Sequence, residues 1–202
     1  MAESFVSERP LPVQPAGTRS SGWYGLLFVV GTEAALFAYL LFSYFFLASQ
    51  APSIWPPHGV PSLRIAGPNT VILLASSLTA WWGQSGIERG DRRRLMVGLG
   101  LTLVLGTLFA ALQIVEWRQQ PFAPSTDAYG SLYFTITGMH VTHVVVGLIT
   151  VACLTIWAVQ SRFTERRHLH VAIGVFYWHF VDAVWLAVFS TFYLSPYLRG
   201  PG

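Results

Sequence analysis

Residues 177–185 read YWHFVDAVW and place a histidine and an aspartate inside an apolar stretch that runs from 171 to 196. About 20 helical residues cross the roughly 30 Å of hydrocarbon in a bilayer, so this stretch is long enough to span a membrane. An ionised side chain at the centre of such a helix costs about 2.5–3.5 kcal/mol on insertion scales. We therefore expect a membrane helix whose Asp182 has polar partners in the folded protein.

The composition of the whole chain agrees with a membrane protein. Of the 202 residues, 53% are hydrophobic and 10% are charged, whereas about 25% of the residues in a soluble domain are charged. The apolar stretches long enough to span a bilayer lie approximately at 22–48, 68–87, 95–118, 130–160 and 171–196. The sequence Gly67-Pro68-Asn69 is a breaker and is expected to start the second helix.

These stretches predict an all-α, polytopic membrane protein with five transmembrane helices. The membrane domain is expected to cover 22–196, between an irregular cytoplasmic tail over 1–21 and a short external tail over 197–202. β-strands are not expected, because the apolar runs are much longer than barrel strands and do not alternate with a period of two.

The distribution of the basic residues, all of which are arginines, predicts the orientation. Cytoplasmic loops of membrane proteins carry an excess of positive residues. With the N-terminus in the cytoplasm, Arg64, Arg118 and Arg199 fall outside, and the other nine fall inside: Arg9, Arg19, Arg89, Arg92, Arg93, Arg94, Arg162, Arg166 and Arg167. We therefore predict an N-in, C-out topology. Because the arginines flank the spans and form no continuous basic face, no nucleic-acid partner is expected.

Six ionisable residues fall within the predicted spans. They are Glu33, Glu116, His140, His143, His179 and Asp182. At 1.5 Å per helical residue, Glu33, His140 and Asp182 lie about 15–16 Å from the starts of their helices, which places them near one level at the midplane. Glu116 is expected at the outer end of its helix, partly in contact with water.

The histidines and Asp182 allow two interpretations. His140 and His143 are three residues apart, as are His179 and Asp182, so each pair shares a helix face. Three imidazoles and a carboxylate could coordinate iron, copper or zinc. Alternatively, they are hydrogen-bonding groups that hold the bundle together and satisfy Asp182. We favour this structural cluster and assign no catalytic, cofactor-binding or metal-ligating residue to the chain.

Glu33 and the tryptophans are interpreted in the same structural way. Glu33 is either a step in a proton relay or an anchor bonded to a neighbouring helix or a lipid head group, and we favour the anchor. Trp55, Trp178 and Trp185 are expected at interfaces, where aromatic rings with a polar group are common.

Several motifs in order along the chain resemble one membrane-protein family. The motifs are Gly31-Thr32-Glu33, Trp55-Pro56-Pro57-His58-Gly59, Asn69-Thr70, Gln113 with Glu116, Tyr129-Gly130-Ser131, His140 with His143, and Trp178-His179-Phe180-Val181-Asp182 with Trp185. Together, from Trp23 to Tyr193, they resemble subunit III of the haem–copper respiratory oxidases. Longer members of that family have seven helices. This chain is expected to lack the first two, so another subunit would complete the lipid cleft.

The resemblance implies an accessory subunit that contains no cofactor. Haem and copper are then held by the partner catalytic subunits, in which the cytochrome c oxidase activity resides. The implied partners are catalytic subunit I, subunit II, a small subunit IV and phospholipids. The implied roles are to stabilise the catalytic subunit, to bind lipid and to support proton uptake during oxygen reduction. The arginine-only composition favours a bacterial plasma membrane.

Three alternatives stay open at this point. The chain could be subunit III of a quinol oxidase, or a subunit-III-like protein of nitric oxide reduction, since both share most of these motifs. In a different class, it could be an independent membrane metalloenzyme that uses the cluster of histidines and Asp182.

Overall fold

The computed structural model of the chain describes residues 21–50, 55–59, 61–165 and 167–198. In these ranges the chain is helical, without strands, apart from one isolated bridge between Thr164 and Arg167. The elements are α1 (Ser21–Gln50), α2 (Leu63–Ile87), α3 (Arg92–Gln119), α4 (Ala128–Val159), α5 (Leu169–Phe189), a π-helical turn (Ser190–Leu194) and α6 (Ser195–Leu198). The prediction of an all-α protein is confirmed.

The five long helices run alternately up and down. Asn69 near the start of α2 donates to the carbonyl of Phe109 in the second half of α3, and Trp117 near the end of α3 bonds Thr137 near the start of α4. We call the end that holds the loop of residues 55–59 the Trp55 end, and the opposite end the Arg92 end. The end of α1, the starts of α2 and α4 and the ends of α3 and α5 therefore meet at the Trp55 end.

Within the part of the chain that the structure describes, four helices are long and apolar enough to cross a membrane. These segments are Gly22–Gln50, Arg92–Gln119, Ala128–Val159 and Leu169–Leu198. Helix α2 is not among them, although its 25 residues would extend about 37 Å. It carries many polar residues, several of which bond to neighbouring helices, as Asn69 does to α3. The fifth span therefore stays a prediction.

The predicted helices differ most from the structure at the start of α2 and within the last span, and the other predicted bounds lie within three residues of the observed ones. Helix α2 begins at Leu63, five residues before the predicted start at 68, because the hydroxyl of Ser62 accepts from the N–H of Arg64 and Pro68 lies within the helix. Pro68 is the sixth residue of α2, so the helix lacks the backbone bond from this residue to the carbonyl of Arg64 and nevertheless continues through it. The last span was predicted as one helix over 171–196, but a π-helical turn interrupts it at Ser190–Leu194.

The predicted tails lie mostly outside the described residues and stay predictions. Residues 1–20 and 199–202 lie outside the described residues. Tyr197 and Leu198, which were expected in a short external tail, belong to α6 and continue the helical path.

Helices α2 and α3 form a tight hairpin. Gly90 adopts a φ of +79° in the turn between them, a conformation that favours glycine. Asp91 then caps α3 by accepting from the N–H of Arg94 at 2.9 Å. Farther along the hairpin, a Cβ placed on Gly98 would lie 2.6 Å from the Cα of Gly83. The two backbones therefore touch at this crossing.

Helix α1 lies at the edge of the bundle and packs mainly on α4 and α5. Its Phe37 and Tyr44 are buried, whereas Phe28 and Tyr39 are 77% and 69% exposed. Such a row of exposed aromatic rings can face lipid or a neighbouring helix. The charged residue in this helix, Glu33, contacts His143 on α4.

Candidate functional site

Two buried tryptophans on α5 donate hydrogen bonds to hydroxyl groups on α2. Trp178 donates to the hydroxyl of Ser76 at 3.0 Å, and Trp185 donates to the hydroxyl of Thr70 at 2.9 Å, so both anchor α5 to α2. Both rings are fully buried. The prediction that Trp178 and Trp185 lie at interfaces stays a prediction; within the chain itself, their indole N–H groups bond to α2.

Trp55 differs from the other two tryptophans. It is half-buried at the Trp55 end, and its ring centroid lies 5.5 Å from that of Tyr44 and 5.3 Å from that of Tyr129. It thus packs where α1 and α4 meet the connecting loop.

Glu33 and His143 form an ion-pair contact between α1 and α4. The Oε2 atom of Glu33 lies 2.8 Å from Nε2 of His143, and Nδ1 of the same ring lies 2.8 Å from the carbonyl of Met139. A carbonyl only accepts, so Nδ1 carries a proton. The contact with Glu33 then needs a proton of its own, either from the carboxylic acid or from the imidazolium. One proton is therefore shared between the two helices at this point.

His140 occupies a fully buried aromatic cage. Its ring centroid lies 5.0 Å from Trp185, 5.9 Å from Phe109 and 6.5 Å from Phe37. Neither ring nitrogen has a hydrogen-bond partner among the described residues. The ring is thus held by packing rather than by polar contacts.

Asp182 and His179 do not form the pair that their spacing suggested. Nδ1 of His179 lies 2.7 Å from the hydroxyl of Ser77 on α2. Asp182 is buried beside the same hydroxyl, yet neither of its oxygens makes a hydrogen bond of normal geometry with the described residues. The interpretation that histidines satisfy Asp182 is therefore not supported.

The predicted polar residues are distributed over separate sites rather than one cluster. Glu33 contacts His143, His179 contacts Ser77, and His140 contacts aromatic rings. Among residues 21–50, 55–59, 61–165 and 167–198, no three histidine, cysteine or acidic side chains converge in a way that could hold a metal ion. The expectation that the chain itself binds no metal stays a prediction.

Glu116 lies in a polar network that the sequence did not reveal. The hydroxyl of Tyr193 donates to Oε1 of Glu116, and the hydroxyls of Tyr193 and Tyr133 are 2.9 Å apart. Glu116 is only 4% exposed, and the expectation that it is partly in contact with water stays a prediction. The spacing of Gln113 and Glu116 on one helix face was the available signal, but nothing local indicated the two tyrosines.

His58 and Asp127 connect the loop to the start of α4. Asp127 accepts from the N–H of Gly130 through Oδ1, and its Oδ2 lies 2.7 Å from Nε2 of His58. The ring of His58 stacks on Phe122. The N–H of Gly130, assisted by His58, holds the pKa of Asp127 below its usual range. Asp127 is thus both a helix cap and the ion-pair partner of the loop.

Replacing Asp127 with alanine should lower the free energy of unfolding at neutral pH by about 1 kcal/mol, the usual cost of losing a cap. Because the pKa of Asp127 is lowered in the fold, its contribution is complete above the unfolded value of about 3.9. It is lost as the pH falls through the folded value. Thermal unfolding of the purified chain at several pH values measures this effect. Asp127→Asn is the control, since asparagine also caps helices. A deficit in Asp127→Ala that is equal at pH 7 and pH 3 would contradict the assignment.

Comparison with known proteins gives one consistent family. The sequence model described as "Cytochrome c oxidase subunit III" matches residues 16–197. The chain is similar to proteins named "Cytochrome c oxidase subunit 3" from Cyprinus carpio, Latimeria chalumnae and Oncorhynchus mykiss, with 34%, 33% and 35% identity over 198 residues. Each of these alignments covers 94% of this chain and 74% of the relative.

Proposed function

The chain belongs to the cytochrome c oxidase subunit III family, and we propose that it is the accessory, cofactor-free subunit of an aerobic terminal oxidase. The observation that carries this proposal is the extent of the match, which covers residues 16–197 and therefore all five long helices. The earlier resemblance, drawn from scattered motifs, is confirmed at the level of the family.

We further propose that the chain acts as a rigid scaffold for the catalytic subunit. Two features support this role: α5 is bonded to α2 through two buried tryptophans, and Glu33 and His143 join α1 to α4. Haem and copper would be held by the partner catalytic subunits. The proposed partners are catalytic subunit I, subunit II, a small subunit IV and phospholipids. The exposed aromatic rings of α1 offer an apolar face to phospholipid.

Copurification tests the proposal directly. The tagged chain, expressed in its own cells and extracted in mild detergent, should migrate with a complex that contains haem and copper. In cells that lack the chain, the remaining oxidase should start oxygen reduction at a near-normal rate but lose activity faster during turnover, because its scaffold and proton supply are missing. Absence of any haem protein from the purified complex would contradict the proposal, as would complete loss of initial activity in an oxidase that retains its haem.

The location and orientation are proposals of the same kind. We propose an N-in, C-out chain in a bacterial plasma membrane, supported by the nine arginines assigned to one side and three to the other. Cys153 would first be replaced with serine. An impermeant maleimide added to intact cells should then label Ser125→Cys in the loop before α4 and should not label Arg93→Cys at the start of α3. Both positions are exposed, so accessibility within the protein does not separate them. The reverse labelling pattern would overturn this orientation.

A further inference from the structure

A cavity of about 680 Å³ opens at the Trp55 end of the bundle. Its lining includes Glu116 and Gln120 from α3 and the turn after it, Tyr129 from α4, Arg64 from α2, and His58 from the loop. A water molecule occupies about 30 Å³ in the liquid, so a cavity of this size accommodates on the order of 20 waters. Its walls combine polar side chains with apolar ones, and a cavity that offers several polar partners can hold ordered water.

Several buried polar atoms next to this cavity have no partner within the described residues. They are Oε2 of Glu116, the hydroxyl of Tyr129 and both amide atoms of Gln113. Gln113 is adjacent to the Glu116 carboxyl, yet its amide makes no hydrogen bond of normal geometry. All three side chains are almost completely buried. Buried polar groups are nearly always hydrogen-bonded, so these atoms indicate bound water.

A continuous hydrogen-bonded chain connects Glu116 back to the cavity. Tyr193 donates to Glu116, Tyr133 lies 2.9 Å from Tyr193, and the amide of Gln120 donates to Tyr133 at 3.3 Å. Both ends of this chain, Glu116 and Gln120, line the cavity. The arrangement thus links one buried carboxyl to the cavity by two routes, directly and through two phenols.

The π-helical turn provides an independent indication that this site is specialised. It covers Ser190–Leu194 and therefore contains Tyr193. In an α-helix each residue is rotated by about 100° relative to the one before it, so the wider turn changes the direction in which Tyr193 points. Turns of this kind occur frequently at functional sites. Here the π-helical turn positions Tyr193, whose hydroxyl donates to Glu116.

We propose that the cavity is a hydrated proton-binding site, in which Glu116 exchanges a proton with the aqueous phase at the Trp55 end. A hydronium ion in the cavity gives its proton to Oε2 of Glu116 and becomes water, while Oε1 keeps its bond from Tyr193. The reverse step returns the proton to water. This activity is separate from the scaffold role and does not depend on it.

The groups around Glu116 come from every element that borders the site. Arg64 on α2 and His58 in the loop line the cavity, Tyr129 and Tyr133 belong to α4, and Tyr193 belongs to the π-helical turn. Arg64 has a cationic guanidinium, whereas His58 contacts the carboxylate of Asp127. The carboxylate form of Glu116 is therefore accompanied by an arginine within the same cavity, which permits both protonation states.

Infrared difference spectroscopy of the full-length chain in lipid nanodiscs tests this site. Acidification between about pH 9 and pH 4 should produce a carboxylic-acid C=O band that shifts when H₂O is replaced by D₂O. Glu116→Gln should abolish this band, and Asp182→Asn, which removes another buried carboxyl, should leave it unchanged. Gln119→Trp, at an exposed position on the cavity wall, should slow the deuterium exchange at least about tenfold by filling the entrance.

Two results would overturn the proposal. One is a Glu116 band that does not change over this pH range, and the other is a band that does not exchange in D₂O over hours, since either shows a dry structural hydrogen bond. If Glu116→Gln does not fold, Tyr193→Phe identifies the band instead. Removing the phenol that donates to Oε1 should shift the frequency of the band, and an unshifted band would show that it belongs to another carboxyl.

Discussion

Replacing Trp178 with alanine should destabilise the chain by about 3–5 kcal/mol, the range for removing a large aromatic side chain from a packed interior. The ring is fully buried between α3 and α4. A Cβ on Gly106 would lie 2.7 Å from it, and a Cβ on Gly147 would lie 2.8 Å from it. The two glycines therefore leave a slot that only this ring fills. Alanine would leave a void bordered by three helices and would remove the bond to Ser76.

Unfolding in mixed detergent, followed by helical circular dichroism, measures the loss. Trp81→Ala on α2 is the matched control, because that ring is 58% exposed. It should change the stability by no more than about 0.5 kcal/mol. Equal stability losses in the two variants would show that the slot does not hold the bundle together.

Replacing Gly98 with leucine should be even more damaging, because the obstruction is backbone rather than side chain. A Cβ at this position lies 2.6 Å from the Cα of Gly83 and 2.7 Å from the carbonyl oxygen of Thr79. Neither atom can rotate away, so α2 and α3 must separate. Separation also breaks the 2.9 Å bond between the hydroxyls of Thr79 and Thr102. We expect a loss beyond the usual 1–3 kcal/mol or so of overpacking, and failure to assemble with partner subunits.

Gly100→Leu is the control for this substitution. It lies on the same helix two residues later, and a Cβ there meets no atom within 4 Å. Both variants receive the same side chain with the same helix propensity, so any difference reports the contact with α2. Native gel migration and the yield of the assembled complex provide the measurement. Assembly of Gly98→Leu at the level of Gly100→Leu would show that the hairpin tolerates a wider spacing.

The five long helices could be predicted from the sequence because their apolar runs are long. Their exact bounds and irregular turns depend on contacts that the sequence does not display. The start of α2 at Leu63 depends on capping by Ser62 and on a tolerated Pro68. The π-helical turn at Ser190–Leu194 could not be predicted from the apolar pattern, because that pattern continues through it without interruption.

The partners of the buried polar residues could not be predicted from the sequence either. Counting residues along each helix gives the depth of Glu33 and Asp182 in the membrane, but the neighbours of each residue depend on how the helices rotate and pair. In the structure, Glu33 contacts His143, and Asp182 lies beside Ser77. Residues 178, 182 and 185 do share the buried face of α5, as their helical spacing indicates, but their partners on α2 could not be assigned from one sequence.

The contact between α1 and α4 has a consequence for synthesis of the chain. Glu33 and His143 are 110 residues apart, and ribosomes add about 5–20 residues per second. The first helix therefore enters the membrane roughly 5–20 s before its histidine has been made. Both helices of the α2–α3 hairpin are complete before α4 has been made, whereas α1 lacks the partner of its carboxyl until then. We therefore expect the carboxyl of Glu33 to depend on the insertion machinery or on lipid head groups for its polar contacts during that interval.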